Sequence, residues 1–71
     1  MVEIIMLYSK AVSHWATAKV CMQFPSKAED ACIHLLEAGI NAKKCARILG
    51  EKAIEAKADW VIDTMSQMIG I

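Results

Sequence analysis

Proline and glycine are scarce in this chain, with one Pro and three Gly among 71 residues. So little punctuation excludes a fold of many short strands and tight turns, which needs such residues every few positions. Aromatic residues are equally few: Tyr8, Trp15, Phe24 and Trp60 make up 6% of the sequence. Neither charge dominates, since eight basic and eight acidic residues leave a formal net charge of zero. That balance removes the general attraction for nucleic acid or anionic membrane that a basic domain carries. The three cysteines, Cys21, Cys32 and Cys45, are odd in number and irregular in spacing, which is no disulfide framework. They are expected as free thiols in a reducing compartment. A signal peptide needs a basic start and an unbroken apolar run, and a membrane helix needs roughly 20 apolar residues. Here Glu3 precedes the apolar N-terminal stretch, and Lys10, His14 and Lys19 interrupt it. Neither segment is expected, and the location expected is cytoplasmic with no membrane partner.

What is abundant is aliphatic. The hydrophobic fraction is 56% and the mean hydropathy is +0.35, against roughly 45–50% apolar residues in an ordinary domain even with Gly counted. A domain of this size buries only about 60% of the surface that its unfolded chain exposes. Small scaffolds offset that shortfall with disulfides, metals or oligomerisation. Residues 1–71 are therefore expected to form a single all-α domain, a small bundle of three to four helices assembled as a homo-oligomer.

The spacing of apolar residues predicts a first helix from about Val2 to Met22. Ile4, Leu7, Ala11, Trp15, Ala18 and Met22 form one stripe, widened by Ile5, Tyr8, Val12 and Ala16 to more than one partner needs. Glu3, Ser9, Lys10, Ser13, His14 and Thr17 read as its wet side. Pro25 ends this helix. Ser26-Lys27-Ala28-Glu29 matches a capping box that opens a second helix, with Ala28, Ala31, Cys32, Leu35 and Leu36 facing inward. Gly39 suits a left-handed C-terminal cap and Asn41 an N-cap. From Ala42 a helical pattern runs to about Ile69, with Gly50 as its weak point. Cys45, Leu49, Ala53, Ala56 and Trp60 form one stripe of it. Ile54, Ala58, Val61, Met65 and Met68 form a second, at the four-three repeat of a coiled-coil seam. Together with Trp15, this second stripe is the expected interface with a partner. Trp15 and Trp60 are expected as anchors that hold the first and last helices together.

Few residues suggest chemistry. Residues Gly39 to Gly50 resemble the turn and first helix of a helix-turn-helix, with small Ala46 four residues before Gly50. Lys43, Lys44 and Arg47 would then contact phosphates. The following helix departs from that pattern, because it offers Glu51-Lys52-Ala53-Ile54-Glu55 where a reading helix exposes base-contacting side chains. Glu51, Glu55, Asp59 and Asp63 recur every fourth residue as an acidic ridge. Like charges so spaced repel by a few tenths of a kcal/mol. A basic partner, the basic side chains of a neighbouring helix, or solvent would relieve them. His14, His34 and the cysteines lack the paired close spacing of a zinc site, so no metal and no cofactor is expected. No nucleophile has an activating base or oxyanion element in sight, so no catalytic residue is assigned and no enzyme is expected.

Read as a complete small frame from Met1, the chain is expected to be a non-enzymatic accessory protein. It would pair with itself and bind another macromolecule, most simply a protein, to block, bridge or sequester it, as an inhibitor or adaptor does. Two alternatives come from other classes. One is a DNA-binding regulator using Lys43, Lys44 and Arg47. The other is a nucleotide-type ligand binder with a pocket between subunits near Trp15, His14 and Lys19.

Overall fold

Long helical runs with almost no breakers become three helices in the computed structural model, which describes residues 2–70. These are α1 (Val2–Cys21), α2 (Ala28–Leu49) and α3 (Lys52–Ile69), with one 3-10 turn at Pro25–Lys27 and no strand among the described residues. No helix in this range is long and apolar enough to cross a membrane. The chain is thus all-helical, with three helices.

The first connection forms through backbone bonds alone. The Phe24 amide donates to the Cys21 carbonyl at 3.1 Å and the Lys27 amide to the Phe24 carbonyl at 2.9 Å. Pro25 opens the 3-10 turn, where its missing N–H is no loss. The Ala28 amide donates to the Pro25 carbonyl, and α2 starts with Lys27 as N-cap and no side-chain cap bond. The expected Ser26–Glu29 capping box therefore does not form: the 3-10 turn sets α2 going before Ser26 can act as its cap. Glu29 and Asp30 still place negative charge in the first turn of α2, where the helix dipole favours it.

The break expected at Gly39 lies at Gly50 instead. α2 passes through Gly39 and Asn41 without interruption, and the Asn41 Nδ2 donates to the Glu37 carbonyl at 2.8 Å. Gly50 takes the left-handed conformation with φ 73°, and its amide bonds back to the carbonyls of Ala46 and Arg47. Nothing lies within 4 Å of the position where a Gly50 side chain would start. Gly50→Ala is thus a pure backbone perturbation, expected to lower stability by about 1 kcal/mol in urea unfolding.

Packing follows the order of the helices. α2 lies in the middle, α1 and α3 each pack along it, and α1 makes no substantial contact with α3. On α1 the less exposed positions are Ile4, Leu7, Ala11, His14, Ala18 and Cys21, an unbroken three-four repeat. The stripe Ala31, His34, Ala38, Asn41 and Cys45 of α2 faces them. On its nearly opposite side α2 turns Gly39, Lys43 and Arg47 to α3. Gly39 faces Val61 and Ile62, Lys43 meets Asp59, and Arg47 meets Glu55, which makes α2 and α3 an antiparallel hairpin in one register. The result is a slab of 37 × 22 × 16 Å.

The interior of this slab holds only small side chains. Its buried apolar residues are Ala18, Cys21, Ala31, Cys45, Ala46 and Ala58, and no large side chain among the described residues is fully buried. Small seam residues let helix backbones approach closely, but they remove little apolar surface from water. Trp15 and Trp60 are 52% and 67% exposed, so neither is the core anchor expected. They sit on helices that do not meet. The stripe Cys45, Leu49, Ala53, Ala56 and Trp60 is likewise cut in two by the turn at Gly50.

Candidate interaction surface

Because α1 and α3 flank α2 without meeting, one side of α2 is left open as a trough between them. Leu35, Ala38, Ala42, Cys45 and Leu49 of α2 form its floor. Tyr8, Ala11, Val12 and Trp15 form one wall, and Ile54, Lys57, Ala58 and Val61 form the other. Its volume is about 560 Å³. The floor from Leu35 to Leu49 spans four helical turns, about 21 Å, a length suited to a helix. Lys57 is the one charged side chain in the lining, and the Lys19 ammonium lies 4.5 Å from the Trp15 ring centroid at the edge of the wall. The volume is that of a small-molecule pocket, but such pockets also need several convergent polar groups to orient a ligand. Here the Lys57 ammonium, the Tyr8 hydroxyl, the Trp15 indole N–H and the Cys45 thiol are the only polar side-chain groups in the lining, and no acceptor-only group is among them.

Four of the residues expected at an interface come together here: Trp15, Ile54, Ala58 and Val61. Met65 and Met68 continue along α3 beyond the trough, Met65 half-buried and Met68 exposed. The stripe is not wholly free, since Ala58 is buried and Val61 lies over Gly39.

The basic and acidic candidates largely satisfy one another. The Lys43 ammonium is 2.6 Å from the Asp59 carboxylate, and the Arg47 guanidinium is 3.3 Å from the Glu55 carboxylate. Lys44, Glu51 and Asp63 are exposed and take part in neither pair. The basic face of α2 thus relieves the middle of the acidic ridge. Both pairs are partly solvated, so each contributes only about 0.2–1 kcal/mol. For a reader of duplex DNA the arrangement is unfavourable: Lys43 and Arg47 are engaged, and α3 lies along α2 where a helix-turn-helix would cross it.

His14 is not on a wet face. Its Nδ1 lies 3.0 Å from Nδ1 of His34, in the α1–α2 seam. A polar ring fits there because a second imidazole supplies its hydrogen-bond partner. The pair was legible in principle: each histidine falls on a three-four stripe, ten residues either side of Phe24. No third metal-ligating side chain joins them, and no cluster of three forms among the described residues, whereas protein zinc sites use three or four ligands. Trp15, expected on the packed stripe of α1, lies one position to its side, facing the trough. Comparison with protein-family models, with curated proteins and with solved structures finds no match to this chain.

Proposed function

We propose that this chain is a non-enzymatic interaction module that works as a homo-oligomer, with the trough between α1 and α3 as the surface that a second copy covers. One observation carries the reading. The chain exposes 5041 Å², whereas a compact monomer of its mass exposes about 4,400 Å². The surplus, about 650 Å², approaches the roughly 800 Å² that each partner gives to a standard interface. One apolar face contributes to it, where Tyr8, Trp15 and Leu49 stand more than half open and Val12 and Ile54 nearly so. A second copy suits that face. The lining has no carboxylate to strand, the chain has no net charge to repel its like, and a two-fold pairing sets the same patch against itself. Once paired, the module would block, bridge or sequester a further macromolecule through its wetter surfaces.

Sedimentation equilibrium at micromolar concentration tests the self-association. The expected mass is a multiple of the 7.8 kDa chain, most simply a dimer. A strict monomer across that range would sink the proposal.

A further inference from the structure

The two histidines lie in the α1–α2 seam, on side chains that no proposed contact of the trough employs. Their ring centroids are 5.3 Å apart with planes inclined by 30°, and the closest atoms are the two Nδ1 nitrogens at 3.0 Å. Such a contact is a hydrogen bond, and it needs one hydrogen between the two nitrogens, neither none nor two. Two neutral rings satisfy it when one is the Nδ1–H tautomer and the other the Nε2–H tautomer. One imidazolium beside one neutral imidazole satisfies it as well. Two imidazolium rings cannot, because both Nδ1 atoms then carry hydrogen and like charges face each other.

Among the described residues, neither ring has an ion-pair or hydrogen-bond partner other than the second imidazole. Only α1 and α2 pack at this point. The titratable groups within five residues of either ring are Lys10 and Lys19 on α1, and Glu29, Asp30, Cys32 and Glu37 on α2, with the Asp30 and Glu37 carboxylates one turn from His34 and Cys21 two turns from His14. The ion pairs among the described residues, Lys43–Asp59 and Arg47–Glu55, involve neither ring. Both imidazoles are half-buried, and Lys10 adds positive charge on the same helix.

We propose that the His14–His34 contact is an acid-release latch that holds α1 on α2 at neutral pH and lets it go when both imidazoles are protonated. The docked pair accommodates one added proton and the released pair two. The released state therefore binds more protons in acid, and the docked state gains stability as pH rises. α1 is held by α2 alone, since α3 does not touch it appreciably, and its deeply buried seam residues are Ala18 and Cys21. Release of α1 also removes Tyr8, Val12 and Trp15 from the trough. That last consequence rests on the self-association reading, whereas the latch does not.

The test compares thermal melting and amide exchange at about pH 7.5 and about pH 5 for the wild type, His14→Gln and His34→Gln. In the wild type, acid is expected to lower Tm by about 5 °C and to speed exchange of α1 amides roughly tenfold ahead of those in the α2–α3 hairpin. Each single-histidine variant should lose most of that dependence. Variants that reproduce the wild-type response, or exchange that begins in α3, would overturn the latch. Should the variants fail to fold, imidazole nitrogen spectra of the wild type at neutral pH decide. One protonated and one bare Nδ1 support the latch, and two bare Nδ1 atoms refute it. Repeating the exchange in Ile54→Glu, with its mass measured alongside, separates the two proposals: the latch requires the same α1-selective loss in a monomer. Acid sensitivity confined to the associated form would assign it to the interface and refute the latch.

Discussion

Val12→Glu is expected to weaken self-association at least a hundredfold while leaving the three helices folded. Val12 stands in the α1 wall of the trough and is 45% exposed within the chain, so a glutamate there reaches water in the isolated protomer. Covering the trough with a second copy removes that water. Burying an unpaired carboxylate costs several kcal/mol, and a two-fold interface contains the substitution twice. Every 1.4 kcal/mol is a factor of ten in affinity, so a hundredfold loss is the modest end of the range. Lys57, the one cation in the lining, belongs to the opposite wall. Ile54→Glu on that wall should also weaken association, but by less, since Lys57 lies one turn along α3 and can pair with it. Ile33 is also exposed and apolar but lies outside the trough, so Ile33→Glu should leave the mass unchanged. Sedimentation reads the association, and far-ultraviolet circular dichroism shows that the helices persist. If Ile33→Glu dissociated the protein and Val12→Glu did not, the interface would lie on the other face of the slab.

This surface is open because of what fills the seams. Alanine, cysteine and glycine let α2 lie close to both neighbours, and they contribute little apolar burial in return. The larger side chains, from Tyr8 to Met68, end up beside the seams. Close packing of the helices and exposure of the large residues are thus one choice of composition seen from two sides.

The all-helical character was legible because it depends on long periodic runs and few breakers, which are local properties. The end of α1 before Pro25 was legible for the same reason. So was the surplus of apolar surface, which needs only composition and length. The choice between Gly39 and Gly50 was not. Both follow a helical run, and Ile40 after Gly39 even offers the apolar contact of a left-handed cap that Glu51 after Gly50 does not, so the local signals favour the wrong glycine. What decides between them is Val61 and Ile62, which lie against Gly39 from a helix that is distant in sequence. The burial of His14 was not legible, because a polar ring on a helix reads as exposed unless its partner is known, and that partner lies 20 residues away. The relief of the acidic ridge by Lys43 and Arg47 was foreseen only as one of several options, since the register of α3 on α2 cannot be read from either helix alone.

That register makes Gly39 the most sensitive position in the α2–α3 hairpin. Positive φ is confined to Gly50 and Gly70 among the described residues, so Gly39 is needed for space and not for backbone conformation. A Cβ built there would lie 3.1 Å from Ile62 Cγ1 and 3.3 Å from Val61 Cγ1. Both are side-chain atoms able to shift by a few tenths of an ångström. Gly39→Ala therefore sets a gain of about 1 kcal/mol in helix propensity against mild crowding, and the net change is expected within about 1 kcal/mol of zero. Gly39→Leu is different, because its larger branched chain has nowhere to go while α3 keeps its place. Overpacking of this kind costs about 1–3 kcal/mol, occasionally more. In a domain whose stability lies near the lower end of about 5–15 kcal/mol, that is a large fraction. Urea unfolding should show the loss at the wild-type slope, and Ile62→Ala added to Gly39→Leu should recover part of it through direct coupling. Equal effects of Ala and Leu at position 39, with no recovery in the double variant, would mean that α3 does not lie on Gly39, and the register of the whole hairpin would fall with it.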